Sequence, residues 1–234
     1  MPDDTPRPAV LFDIDGTLVD SNYVHVHTWA RAFREVDSPV DSWRIHRSIG
    51  MDGSLLVDRL LGDPDPDVAE RAKDLHSKYY QESSELLTVL GGTRELLAGI
   101  ADLGLQVVLA TSAPEDELAL LRKILGVDEI VSTVTSSEDV DTAKPKPDIV
   151  QVALERAGVT ADQAVFVGDT VWDGQASTSA HVPFVAVRSG GVSRAELEEA
   201  GASAVYDGPG DLLANLDDSP IGALARQLPA GAAH

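Results

Sequence analysis

Short apolar runs that end in small or acidic residues recur along the chain, and each is followed by a stretch whose apolar positions return every three or four residues. The runs are 9–15 (AVLFDID), 105–112 (LQVVLATS), 129–133 (EIVST), 164–170 (AVFVGDT), 184–189 (FVAVRS) and 204–207 (AVYD). A run that is apolar throughout predicts a strand covered on both faces, as in a parallel sheet. Residues 92–103, 114–126, 147–157 and 171–180 carry the helical period and predict the crossover helices.

One interval breaks this rhythm. About 90 residues separate the first run from the second, far more than one crossover needs. Helical periodicity within it covers 24–36, 54–61 and 67–87, with breakers at 37–39 (DSP), 50–53 (GMDG) and 62–66 (GDPDP). Strand signal is almost absent there. The pattern predicts a helical insertion over the carboxyl ends of the strands, where open α/β folds bind ligands. Residues 1–8 and the last fifteen or so, rich in Pro, Ala, Gly and Asp, are expected to be loosely held.

Charge and composition narrow the classes. The 234 residues carry 18 Lys and Arg against 39 Asp and Glu, a net charge of −21. This opposes binding to phosphate backbones or anionic lipid, which require clustered cations. With 43% hydrophobic and 24% charged residues, the chain has the composition of a globular protein. It has no Cys, so disulfides, thiolate catalysis and Cys-ligated metals are excluded. No stretch approaches the roughly 20 apolar residues of a membrane-spanning helix, and the start (MPDDTPRPAV) lacks the basic and apolar parts of a signal peptide. The expectation is a soluble, cytoplasmic protein. The acidic excess suits a well-solvated surface and a salt-rich cytoplasm equally.

The residues expected at the strand ends are Asp13 and Asp15 (DIDGT), Thr111 and Ser112 (LATS), and Asp169 and Asp173 (GDTVWD), joined by Lys144 (AKPKPD) from a loop before a helix. Asp13 and Asp15 are two apart and share a face if extended geometry continues, and Gly16 predicts a sharp turn that aims both at the mouth of the sheet. Four gathered carboxylates raise one another's pKa unless a cation compensates. A hard divalent ion does so, and Mg²⁺ suits a few carboxylates, retained waters and a substrate phosphate oxygen. The Thr111 hydroxyl, the amides that follow it and the Lys144 ammonium are donors for a phosphate dianion. One Asp can then attack phosphorus while a second protonates the leaving alkoxide and later deprotonates water.

These four ordered motifs, spread over residues 9 to about 190, resemble those of the haloacid dehalogenase superfamily in its phosphatase branch. The resemblance implies an α/β fold: a Rossmann-like parallel sheet flanked by helices (residues 1–19 and 91–234), with a small helical cap inserted after the first strand (20–90). It implies Asp13 as nucleophile and Asp15 as general acid/base, with Thr111 and Lys144 holding the transferring phosphoryl group. It implies Mg²⁺ bound by the Asp13 carboxylate, the Asp15 main-chain carbonyl and Asp169, with Asp173 in support. The expected substrate is a small phosphorylated metabolite bound at Asp13, Asp15, Gly16, Thr111, Ser112, Lys144 and His25. Phosphoglycolate, sugar phosphates, nucleoside monophosphates and pyrophosphate all remain candidates, and the sequence does not distinguish monomer from dimer.

Single residues separate the branches. Dehalogenases lack the second Asp of the DxD motif, which this chain has as Asp15. The phosphonate-cleaving branch uses a cap Lys, and no Lys occurs between residues 1 and 72. The β-phosphoglucomutase-like branch shares the stretch around His25 and Trp29, but its cap Arg has no counterpart at 51–54 (MDGS). A mutase is therefore the alternative, and a non-catalytic binding protein a remoter one. Plainer roles stand beside several of these residues. Asp20 and Asp173 each suit a helix cap, His25 and Trp29 suit helix packing at i and i+4, and Thr111 and Ser112 suit a turn. Trp172 is expected to pack, His27, His46, His76 and His181 to be surface or core residues, and 63–67 (DPDPD) to be a solvated linker. The loop 50–53 is a candidate for substrate selection.

Overall fold

The computed structural model describes residues 7–136, 139, 144 and 146–228. In chain order the elements are β1 (Ala9–Phe12), β2 (Val19–Asp20), α1 (Asn22–Glu35), α2 (Ser42–His46), α3 (Gly53–Leu61), α4 (Pro66–Glu82) and β3 (Thr88–Val89). Next come α5 (Thr93–Asp102), β4 (Gln106–Ala110), α6 (Glu115–Leu125), β5 (Val131–Thr135), α7 (Asp148–Ala157), β6 (Ala164–Gly168) and α8 (Val171–Ser179). The chain then forms β7 (Phe184–Val187), α9 (Arg194–Glu199), β8 (Ala202–Tyr206), α10 (Pro209–Ala214) and α11 (Pro220–Ala225). No helix among the described residues is long and apolar enough to cross a membrane.

The six apolar runs form one parallel sheet in the order β5-β4-β1-β6-β7-β8. Alternate side chains enter opposite layers, as the two-residue period of a strand requires. Val10, Phe12, Val107, Leu109, Val165 and Val167 pack on the side of α5, α6, α10 and α11. Leu11, Val108, Ala110, Phe166 and Phe184 pack on the side of α7, α8 and α9. This is the expected α/β fold. The four central strands are buried except for Gln106 at the start of β4, but β5 and β8 lie at the edges and are covered only in part, contrary to the expectation that every strand is buried on both faces.

Helices α1 to α4 build a third apolar cluster around Trp29, Phe33, Ile45, Leu56, Val57 and Leu60. The two chain segments that join them to the sheet pair antiparallel, Val19 with Val89 and Asp20 with Thr88. Asp20 lies in β2, and the N-cap of α1 is Ser21. The expectation that the last fifteen residues are loose fails at α11, because Ser219 Oγ accepts from the Ile221 and Gly222 amides while Ile221 and Leu224 enter the core. At the other end, Pro8 accepts a main-chain bond from Gln106, while residues 1–6 and 229–234 of the expected loose ends lie outside the described residues.

Candidate active site

Strands β1, β4 and β6 are neighbours at the centre of the sheet, so their carboxyl ends bring Asp13, Thr111 and Asp169 to one mouth. Asp13 N donates to Val167 O at 2.9 Å, extending the ladder by one residue. Gly16 then turns the chain at φ +74°, and a Cβ there would overlap Asn22 Nδ2 and the Asp169 carboxylate. Asp169 Oδ1 accepts from Thr17 Oγ1 at 3.0 Å and Oδ2 from Asn22 Nδ2 at 2.8 Å. Asp173 has the capping role weighed for it and a second contact. It forms a capping box with Thr170 at the start of α8, and its Oδ1 makes an ion pair with Lys144 Nζ at 2.7 Å, without the alignment of a hydrogen bond. Lys144 Nζ also donates to Asp13 Oδ1 at 2.6 Å and is 1% exposed.

Asp13, Asp169 and Asp173 each place an oxygen within 4.8 Å of the others, all buried. Among the described residues one ammonium, that of Lys144, pairs with two of these three carboxylates, Asp13 and Asp173. Burial pushes the Asp13 carboxyl up to about 7, against the pull of Lys144 and with the help of Asp173 and Asp15. Asp169 is raised well above the usual carboxylate range by burial and by Asp173 and Asp13. Lys144 is held above its ordinary value because the attraction of Asp13 and Asp173 outweighs the burial that opposes its charge. The surplus of negative charge and the purely oxygen donor set fit a hard divalent cation.

Asp15 faces elsewhere. Because β1 stops at Phe12, extended geometry does not run through Asp15, and its carboxylate is not one of the three clustered groups. Its Oδ1 accepts from Ser21 Oγ at 2.6 Å and Tyr80 OH at 3.3 Å and lies 3.2 Å from His25 Nε2. Burial opposes the charge, but His25, Ser21 and Tyr80 hold this carboxyl below its ordinary value. Asp15 in turn raises His25 against the effect of burial.

A cavity of about 420 Å³ opens over Asp13, Asp15, Thr111, Ser112 and Lys144, and His25 also lines it. Asp169 and Asp173 stand behind Asp13 and do not line it. Residues 50–54 and Lys73 form part of the facing wall. Thr111 Oγ1 accepts from Ala113 N at 3.1 Å, the turn role considered for it. Ser112 Oγ is buried without a hydrogen-bond partner among the described residues. Pro145 of the Lys144 motif lies outside the described residues.

Several participants carry no sequence signal. Asn22 and Ser21 look like ordinary residues at a helix start, and Tyr80 like a core aromatic. His76 and Glu117 are buried in the cleft wall, where His76 joins His25. Trp172 packs beneath the Arg59 guanidinium at 5.1 Å, in line with the packing role expected for it.

The parallel sheet, the carboxylates at its central strand ends and the buried lysine define the class. The chain belongs to the haloacid dehalogenase-like hydrolase family, whose model matches residues 10–187. It is 32% identical over 209 residues to a phosphoglycolate phosphatase of Rhodospirillum rubrum, covering 85% of this chain and 86% of the relative. The crystal structure of a hydrolase from Pseudomonas syringae, 35% identical, matches with a TM-score of 0.87 over 91% of this chain and 99% of that one. A β-phosphoglucomutase of Clostridium difficile shares the fold at a TM-score of 0.80 and 19% identity, over 94% and 98% of the two chains.

Proposed function

We propose that the chain hydrolyses a small phosphorylated metabolite through an aspartyl-phosphate on Asp13, with Mg²⁺ as cofactor. It is a phosphoric monoester hydrolase of the haloacid dehalogenase-like family. The observation that carries the reading is the placement of Asp13 at the floor of the cavity, with Lys144 and two carboxylates on one side and Asp15 on the other. The Asp13 and Asp169 carboxylates and the Asp15 main-chain carbonyl would hold Mg²⁺, with Asp173 in support. When bound, the ion supplies positive charge that keeps these carboxylates ionised and offsets that of the phosphoryl oxygens.

In the first step an Asp13 oxygen forms a bond to phosphorus while the bond to the leaving oxygen breaks. Lys144, Thr111, Ser112 and the amides at the start of α6 offset the charge on the phosphoryl oxygens. The substrate dianion raises the proton affinity of Asp15 beside it, and Asp15 gives its proton to the leaving alkoxide. In the second step Asp15 takes a proton from water as that water attacks phosphorus, releasing inorganic phosphate and the Asp13 carboxylate.

Residues 20–90 would act as a cap over the cleft and 1–19 with 91–234 as the core. The separate apolar cluster of α1 to α4 and the paired strands β2 and β3 support this division. The acidic composition favours a small metabolite over nucleic acid, and the absence of Cys suits the cytoplasm.

The test is phosphate release from a panel of phosphorylated metabolites with Mg²⁺, run with EDTA and Asp13→Asn controls. Release that vanishes in both supports the mechanism. Turnover retained by Asp13→Asn overturns the nucleophile, and turnover after complete metal removal overturns the cofactor. Isomerisation of a sugar phosphate sustained by its bisphosphate, without phosphate release, points to a mutase.

A further inference from the structure

Behind Asp15 a line of ionisable side chains crosses the cleft wall to α6. His25 Nε2 is 3.2 Å from Asp15 Oδ1, and His25 Nδ1 is 3.1 Å from His76 Nε2. His76 Nδ1 stands 3.8 Å from Glu117 Oε1. The first two spacings are hydrogen bonds, and the third is a contact of charge and dipole. His25, His76 and Glu117 are each less than one-tenth exposed. Both imidazoles are also clamped by rings, His25 against Tyr80 at 4.2 Å and His76 against Trp29 at 4.0 Å between centroids.

Donor and acceptor rules give this line a direction. An ionised carboxylate only accepts, so His25 must present N–H from Nε2 to Asp15. Its Nδ1 and His76 Nε2 then share one proton between them, and the far nitrogen of His76 faces Glu117. Glu117 is the acid paired with that nitrogen among the described residues, and it sits in the first turn of α6, directly after the loop of Thr111 and Ser112. Without these neighbours nothing on the far side of His25 would set which of its nitrogens carries the proton.

We propose that His76 and Glu117 are positioning residues for Asp15, acting through His25 to keep an N–H aimed at its carboxylate and so to fix its direction towards the leaving oxygen of the substrate. The proposal rests on Asp15 as the general acid. No net proton passes along the line in the step: the proton given to the alkoxide is that of Asp15. The line spans α1, α4 and α6, so this support of Asp15 joins the helical layer to the sheet layer.

A poorly held general acid fails selectively. Leaving groups that need a proton suffer, whereas p-nitrophenolate departs without one. The experiment compares kcat/KM for p-nitrophenyl phosphate and for an alkyl phosphate in the Mg²⁺-loaded wild type, Asp15→Asn, His76→Phe and Glu117→Gln. His76→Phe keeps the ring on Trp29, and Glu117→Gln keeps shape and folding if the first does not fold. The expected result is a fall of about 10- to 100-fold for the alkyl phosphate and less than about threefold for p-nitrophenyl phosphate, the same selectivity as Asp15→Asn. Equal losses on both substrates, or wild-type values in both variants, overturn the positioning role. A wild type that releases no phosphate from either substrate overturns instead the phosphatase reading beneath it.

Discussion

Lys144 Nζ lies 2.6 Å from Asp13 Oδ1, and both side chains are buried, at 1% and 6% exposure. A charge so placed cannot be exchanged for solvent. Lys144→Met leaves Asp13 and Asp173 without their ammonium, and removal of one partner of a buried pair costs about 3–5 kcal/mol. The variant should lose turnover and unfold at lower denaturant, with the stability loss smaller once Mg²⁺ is added. Urea titration with and without metal, beside the phosphate-release assay, measures both effects. Unchanged turnover would remove Lys144 from the mechanism.

The raised acids fix a sign for metal binding. Asp13, at about 7 in the folded chain against 3.8 when exposed, holds a proton in the metal-free fold through the interval between those values, and Asp169 is shifted in the same direction. In that interval the folded state binds more protons than the unfolded one, so these two groups make the metal-free protein less stable as pH rises. A divalent cation displaces those protons. The rise in melting temperature on adding Mg²⁺ should therefore be small at about pH 5.5 and large at about pH 8, with protons released on binding. Thermal melts at the two pH values test this, and a larger rise at the acid end would refute metal binding at the cluster.

Asp169 is oriented by Thr17 and Asn22, with Gly190 against it, where any Cβ would overlap its carboxylate. Such supporting bonds set metal affinity, and their loss typically costs about 10- to 100-fold. Asn22→Ala should weaken Mg²⁺ binding by that order while the fold persists, as isothermal titration would show. Saturating Mg²⁺ should restore most of the turnover.

The sequence made legible what the chain repeats or encloses. Parallel strands covered on both faces read as unbroken apolar runs, so β1, β4, β6 and β7 were marked by composition alone. Strands β2 and β3, two residues each, exist because two connections are brought side by side, and no local pattern encodes that. The short helices α2, α9, α10 and α11 lack the length for a periodic stripe. In the site, Asp13, Asp169 and Lys144 stood out because charge in or beside an apolar run has no packing reason. Asn22, His76 and Glu117 did not, since each is an ordinary residue on a helix until the fold places it against Asp169, His25 or His76 respectively.

Lys73 on the cavity wall leads to the substrate. Lys144 is engaged by two carboxylates, whereas the partner of Lys73 Nζ is the hydroxyl of Ser54 at 3.1 Å. Two acids of the same wall are occupied: Asp52 caps α3 through the Ser54 and Leu55 amides, and Asp116 accepts from Ser77 and Gln81. An ammonium facing the cleft with a neutral partner is placed to meet a second anionic group on a substrate, and phosphoglycolate, which carries a carboxylate, is the probe that tests this. Lys73→Met should raise KM for phosphoglycolate about tenfold, since a charge-assisted hydrogen bond is worth roughly 1.5–3 kcal/mol, and leave kcat little changed. Glycerol phosphate, with no second charge, should be hydrolysed as by the wild type. Steady-state kinetics on the two substrates decide the matter, because equal effects on both would show that Lys73 shapes the wall without reading the charge of the leaving group.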